Sequence, residues 1–198
     1  MNEKIRDLLD QIAALEEQLQ ATLHAQESRI AFTIKGRRVE FEKDVRAAHR
    51  KLKRSVLRWL VTDRPQNLVT GPIIYFMLIP MVLLDLTVSA YQAFSFPIYR
   101  IAKVKRADYI VFDRHQLGYL NLYERIHCEY CAYANGLLAY CTEVVARTEQ
   151  YFCPIKHARK VLGIHARHRE FLGYGDAEDY HDRLERIRRA MERDMNRG

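Results

Sequence analysis

LVTGPIIYFMLIPMVLLDLTVSAYQAFSFPIYRI, Leu68 to Ile101, is the stretch on which the reading of the fold turns. Between Leu68 and Tyr99 its only charged residue is Asp85. A helix that crosses a bilayer needs about 20 mainly apolar residues, and this run exceeds that. A helix buried in a soluble core is the alternative, but soluble helices rarely run this long without a polar face. Residues 67–101 are therefore expected to enter a membrane.

The flanks bear on how they enter. Upstream lies a basic cluster that includes Lys51, Lys53 and Arg54, and downstream lie Arg100, Lys103, Lys105 and Arg106. These residues are the expected contacts to anions or lipid headgroups, since a basic residue near an anionic leaflet gains about 1 kcal/mol. A Lys/Arg excess marks the cytoplasmic side, so both ends claim the same side. A re-entrant or monotopic segment satisfies that, and a single tilted crossing is the competing reading. Pro80 is where a re-entrant segment would break, because proline removes a helix hydrogen bond and clashes with the preceding turn. The arm from Leu68 to that break would be about 18 Å long, enough to reach the bilayer middle. Trp59, the only tryptophan, is expected as an interfacial anchor. Asp85 joins Trp59 and Pro80 as an anchor-region residue, because an intramembrane carboxylate is a functional candidate by default.

Working towards the N-terminus, residues 42–66 read as a basic juxtamembrane helix. Residues 31–41 alternate as a short β-hairpin about Lys35-Gly36. In residues 1–30, Ile5, Leu8, Ile12, Leu15 and Leu19 form a coiled-coil-like seam. That seam predicts a protein partner or a homo-oligomer. The N-terminus opens with charged residues and no apolar leader, so it is expected in the cytoplasm, with a bacterial inner membrane as the expected location. A net charge of +7 and a pI near 9.3 would suit nucleic acid, but no nucleic-acid-binding motif accompanies the charge. Membrane lipids are the expected partner, and nucleic acid is not.

Working towards the C-terminus, HCEYCAYANGLLAYC, His127 to Cys141, holds three of the four cysteines, and Cys153 follows. Asn135-Gly136 is the expected helix stop, making residues 102–175 a helical hairpin with a basic His/Arg stretch. Folded back there, Cys128, Cys131 and Cys141 would converge, with Glu124 or His127 as a fourth ligand. Cys153 could join only if the second helix broke, since zinc–sulfur bonds are ≈ 2.3 Å. The C-x2-C-x9-C-x11-C spacing is not a paired knuckle. Zinc or an iron–sulfur cluster, cysteines that merely pack, and thiol redox chemistry all stay open. Two Glu-x-x-His pairs, Glu124/His127 and Glu178/His181, with Glu143 and Glu149, supply the inventory of a di-iron carboxylate site. Chance matches and solvated helix faces explain that short pattern better. Residues 176–198 read as a polar helix.

The expected fold is mainly α, with one apolar membrane segment, a short N-terminal β-hairpin and a C-terminal cysteine-bearing helical hairpin. Three functions fit it. The first is a membrane-associated accessory protein with a cysteine-ligated metal site beside the cytoplasmic face. The second is a non-enzymatic structural or interaction protein with packed cysteines. The third is a monotopic enzyme that modifies lipid.

Overall fold

The computed structural model describes residues 11–12, 14–22, 32–35, 38–41, 43–53, 55–56 and 66–195. The architecture is mainly helical. Two four-residue strands, β1 (Phe32–Lys35) and β2 (Arg38–Phe41), pair antiparallel with Phe32 opposite Phe41. Of the expected Lys35-Gly36 turn, Lys35 ends β1 and Gly36 lies outside the described residues, as do Ile5, Leu8, Arg54 and Trp59. The expected hairpin thus reduces to two short strands, and helices set the fold.

Helix α1 is Lys43–Leu52, and its His49 ring sits between the rings of Phe41 and Tyr119, each centroid 5.1 Å away. The apolar run forms α2 (Gln66–Phe76) and α3 (Leu78–Ile98), separated by Met77 alone. Met77 keeps right-handed helical angles, φ −61° and ψ −15°, so the chain does not reverse. The re-entrant break about Pro80 is therefore corrected to a one-residue interruption at Met77. The cause is still Pro80: its ring would clash with the carbonyl of Phe76, four residues back. Restarting at Leu78 puts Pro80 in a first turn, where its missing N–H goes unneeded. α3 ends in a Schellman turn. Arg100 takes the left-handed φ of 54°, the Ile101 N–H donates to the Phe96 carbonyl at 2.9 Å, and both of those side chains are buried.

Helix α4 spans Leu122–Phe152, 31 residues without a break. Asn121 and Glu124 start it with a reciprocal capping box, at 2.9 Å and 2.8 Å. Cys153 ends it just before Pro154. The expected stop at Asn135-Gly136 is thus wrong, and with it the helical hairpin over 102–175. Gly136 serves close approach instead: a Cβ there would lie 2.5 Å from the Tyr109 carbonyl oxygen and 3.0 Å from Ile110 Cα.

Contacts along the two long helices rise together. Gly71 meets Tyr123, Tyr75 meets His127 and Tyr130, Asp85 meets Tyr133, Ser89 meets Tyr140, and Tyr99 meets Tyr151. The α2–α3 unit and α4 are therefore parallel, and residues 99–121 must travel back along their whole length. This return strap is non-helical apart from two short 3-10 turns, Arg106–Asp108 and Arg114–Gln116. Its Ile101, Val104 and Ile110 complete a core with Phe96, Leu137, Tyr140 and Val144. The last helix, α5 (Tyr180–Met195), adds Met191 to that core, with Ile187 packed against it.

Candidate functional site: an open apolar face backed by a polar seam

At 100° per residue, the apolar run divides cleanly into two faces. Gly71, Asp85, Gln92 and Phe96 lie on one side and are buried. Val69, Ile73, Phe76, Leu83, Phe94 and Ile98 lie on the opposite side and are open, Phe94 and Ile98 being 76% and 75% exposed. The candidate span Val69–Ile98 covers 30 residues, about 45 Å of helix, with only 6% of its most apolar window buried. A helix this apolar and this bare is the strongest anomaly in the molecule.

The covered face carries a polar seam that ties the strap down. Arg106 reaches Asp85 with two guanidinium nitrogens, Nε to Oδ1 at 2.9 Å and Nη2 to Oδ2 at 2.6 Å. The Tyr133 hydroxyl donates to the same carboxylate at 3.0 Å. One turn on, Ser89 and Tyr140 lie 3.1 Å apart, oxygen to oxygen. Gln92 then holds one residue of the strap by both of its backbone groups, its amide donating to the Val104 carbonyl at 3.2 Å and accepting from the Val104 N–H at 3.0 Å. Arg147 donates to the Ala102 carbonyl at 2.6 Å. A non-helical segment has no internal ladder, so these side chains supply what its buried peptides need. Asp85 is thus no lipid-facing anchor. It is the inward end of an ion pair. Gln92 and Tyr140 carry as much of the seam as Asp85 does. The spacing Asp85, Ser89, Gln92 marks one helical face, the signal by which sequence alone could have found them.

The other expected site residues divide differently. The thiols of Cys128 and Cys131 lie one turn apart, Cys141 about 15 Å further along the same helix, and Cys153 about 18 Å beyond that. The hairpin that would have gathered them does not exist, so a single metal ion or cluster does not fit these four residues. Among the described residues no group of three metal-ligating side chains converges. Burial pushes the Cys128 and Cys141 thiols above their ordinary value, away from reactive thiolate. Glu124 is engaged in the helix cap, and the His127 ring packs against Tyr123 and Tyr75. Lys51, Lys53, Lys103 and Lys105 are exposed. Arg106 and Arg100 are engaged within the chain, Arg100 with Glu192.

Beyond Cys153 the chain loops back onto α4. Lys156 N–H donates to the Leu172 carbonyl and Leu172 N–H to the Pro154 carbonyl, each at 2.7 Å. Glu143 accepts from Arg147 at 2.8 Å and from Arg167 at 2.7 Å. Burial alone would raise the Glu143 pKa, but the two guanidiniums outweigh it and hold the carboxyl below its ordinary value. Glu149 meets His165 Nε2 at 2.9 Å. The carboxylates of the di-iron inventory are therefore separately engaged, apart from Glu178, which is exposed beside an equally exposed His181. No family model, curated protein or solved structure matches the chain.

Proposed function

We propose that this protein is a membrane-associated structural or interaction protein, seated on one side of the bilayer through the open face of α2–α3. The observation that carries the reading is the division of that helix: one face is apolar and uncovered, while its single charge is turned inward and paired. Burying Val69, Ile73, Phe76, Leu83, Phe94 and Ile98 in hydrocarbon is worth on the order of 10 kcal/mol in total. The strap argues against a crossing. It is non-helical apart from its two 3-10 turns, packs on α3 at Gln92 and Asp85 and exposes Lys103 and Lys105, and such backbone is not tolerated facing lipid. Seating the helix along the surface leaves the strap, α4 and α5 on the water side. Ile12, Leu15 and Leu19 are exposed, which supports a second role in which the N-terminal seam meets a partner or another copy. The cysteines act as packing and surface residues.

Alkaline carbonate extraction combined with thiol labelling in sealed vesicles tests this. In a variant whose thiols are Asp44→Cys and native Cys153 alone, one membrane-impermeant reagent should label both sites from the same side, with the protein staying in the pellet. Labelling from opposite sides would establish a crossing. Release by carbonate would remove the apolar seat.

A further inference from the structure

We infer that α5 carries a binding stripe for the phosphate groups of anionic lipids, set at the Ile98 end of the apolar face; this rests on the membrane seating proposed above. α5 uses two of its arginines internally. Arg183 pairs with Asp176, and Arg188 pairs with Glu185, lies over the Tyr151 ring and donates to the Tyr151 carbonyl. Arg186, Arg189 and Arg193 differ. They are exposed and make no hydrogen bond or ion pair among the described residues. Their spacing of three and four puts them on one face, opposite buried Leu184 and Met191.

The stripe is joined to the apolar helix by shape. Arg186, Arg189, Glu192 and Arg193 line an open groove of about 550 Å³. Arg189 and Glu192 also line a neighbouring recess of about 240 Å³, whose opposite wall is Ile98, Tyr99 and Arg100. The only carboxylate in the first groove, Glu192, is already held by Arg100. Three guanidiniums without a partner among the described residues therefore adjoin the end of a helix whose open side is apolar. That pairing of an apolar strip with fixed positive charge matches a phospholipid, acyl chains towards Phe94 and Ile98, phosphate towards Arg189. Guanidinium suits phosphate through two parallel N–H donors.

Flotation of the full-length chain, diluted from detergent onto preformed vesicles, tests the stripe. One vesicle set is phosphatidylcholine alone, and the other includes 30% phosphatidylglycerol as an arbitrary choice of about a third anionic lipid, enough to set up a negative surface. Each arginine near an anionic surface is expected to contribute roughly fivefold, so the wild-type preference for the anionic vesicles should fall on the order of a hundredfold in Arg186→Gln/Arg189→Gln/Arg193→Gln. Replacement of all three by lysine should retain most of the preference, and helical circular dichroism should match wild type in both variants. An anionic preference undiminished in the glutamine variant overturns the stripe. So does equal partition of wild type onto both vesicles, which leaves the membrane seating intact. Loss of preference to 10 mM inorganic phosphate at constant ionic strength would assign the site to free phosphate and overturn the lipid reading. Absence of partition onto either vesicle overturns the seating and the stripe together.

Discussion

Asp85 and Arg106 form the pair on which the covered side of the long apolar helix depends. Asp85 is nearly buried while the Arg106 side chain is 44% exposed, so solvent screens part of the attraction. A double-mutant cycle with Asp85→Asn and Arg106→Gln should give a coupling of about 1–2 kcal/mol, measured by thermal unfolding in detergent. Strictly additive losses would mean the pair contributes no more than its separate hydrogen bonds. The cysteines allow a second test at this scale. Cys141 packs against the core and Cys153 is exposed. Cys141→Ser should cost about 1 kcal/mol, because a hydroxyl replaces a partly buried apolar thiol packed on the core, and Cys153→Ser should stay within about 0.5 kcal/mol. If Cys153 were a ligand shared with the others, its loss would be as damaging as that of Cys141.

At the level of elements, the strap is held by a notch and a clamp. Helix propensity alone favours Gly136→Ala by about 1 kcal/mol. The Tyr109 carbonyl in the way reverses the sign, so this variant should lower stability and raise hydrogen exchange in residues 104–112. Gln92→Leu orphans both backbone groups of Val104 and should cost about 2–4 kcal/mol. Wild-type stability in either variant would show that the strap is not held where these contacts put it. The apolar run and the polar helix at the C-terminus were legible because each rests on local pattern, whereas the basic helix expected over 42–66 was legible only in part, since α1 ends at Leu52. The place of the interruption was legible to within a turn, since Pro80 acts on the carbonyl four residues back, but the reversal expected there does not occur. Gly136 was not: a glycine that ends a helix and one that admits a neighbouring backbone look alike in sequence, and only the Tyr109 contact tells them apart. The strap escaped for a related reason: its local backbone bonds close only short turns, and the contacts that hold it down, to Asp85, Gln92 and Arg147, come from distant elements and leave no periodicity.

For the whole molecule, acid should act in two stages. Burial holds His127 below the ordinary imidazole value, and burial aided by His165 does the same for His168. Above about pH 6.5 both are neutral, folded or unfolded, and pH has no leverage through them. As pH falls below that value the unfolded chain takes the protons first, so stability drops. Glu143 has a depressed folded pKa, so its contribution is complete above the ordinary carboxylate value near 4.5 and is lost as pH falls through the folded one. Melting temperature against pH should therefore decline below about 6.5 and again below about 4.5, and Glu143→Gln should flatten the lower step. A wild-type curve level from pH 8 to pH 5 would contradict the first stage. The parallel pairing of α3 with α4 also has a consequence in time. The groups that satisfy Gln92 and Ser89 are made after them, Tyr140 being 48 residues later than Gln92. At about 5–20 residues per second, α3 leaves the ribosome several seconds before Tyr140 of α4, with only the strap's Val104 and Arg106 following sooner. During that interval it is a bare apolar segment, open to the targeting machinery that captures such segments. Ribosome-bound chains truncated near Leu120 should bind membranes through α3 without the strap's protection from proteolysis, and chains extended past Arg169 should gain it; equal protection at both lengths would refute the delay.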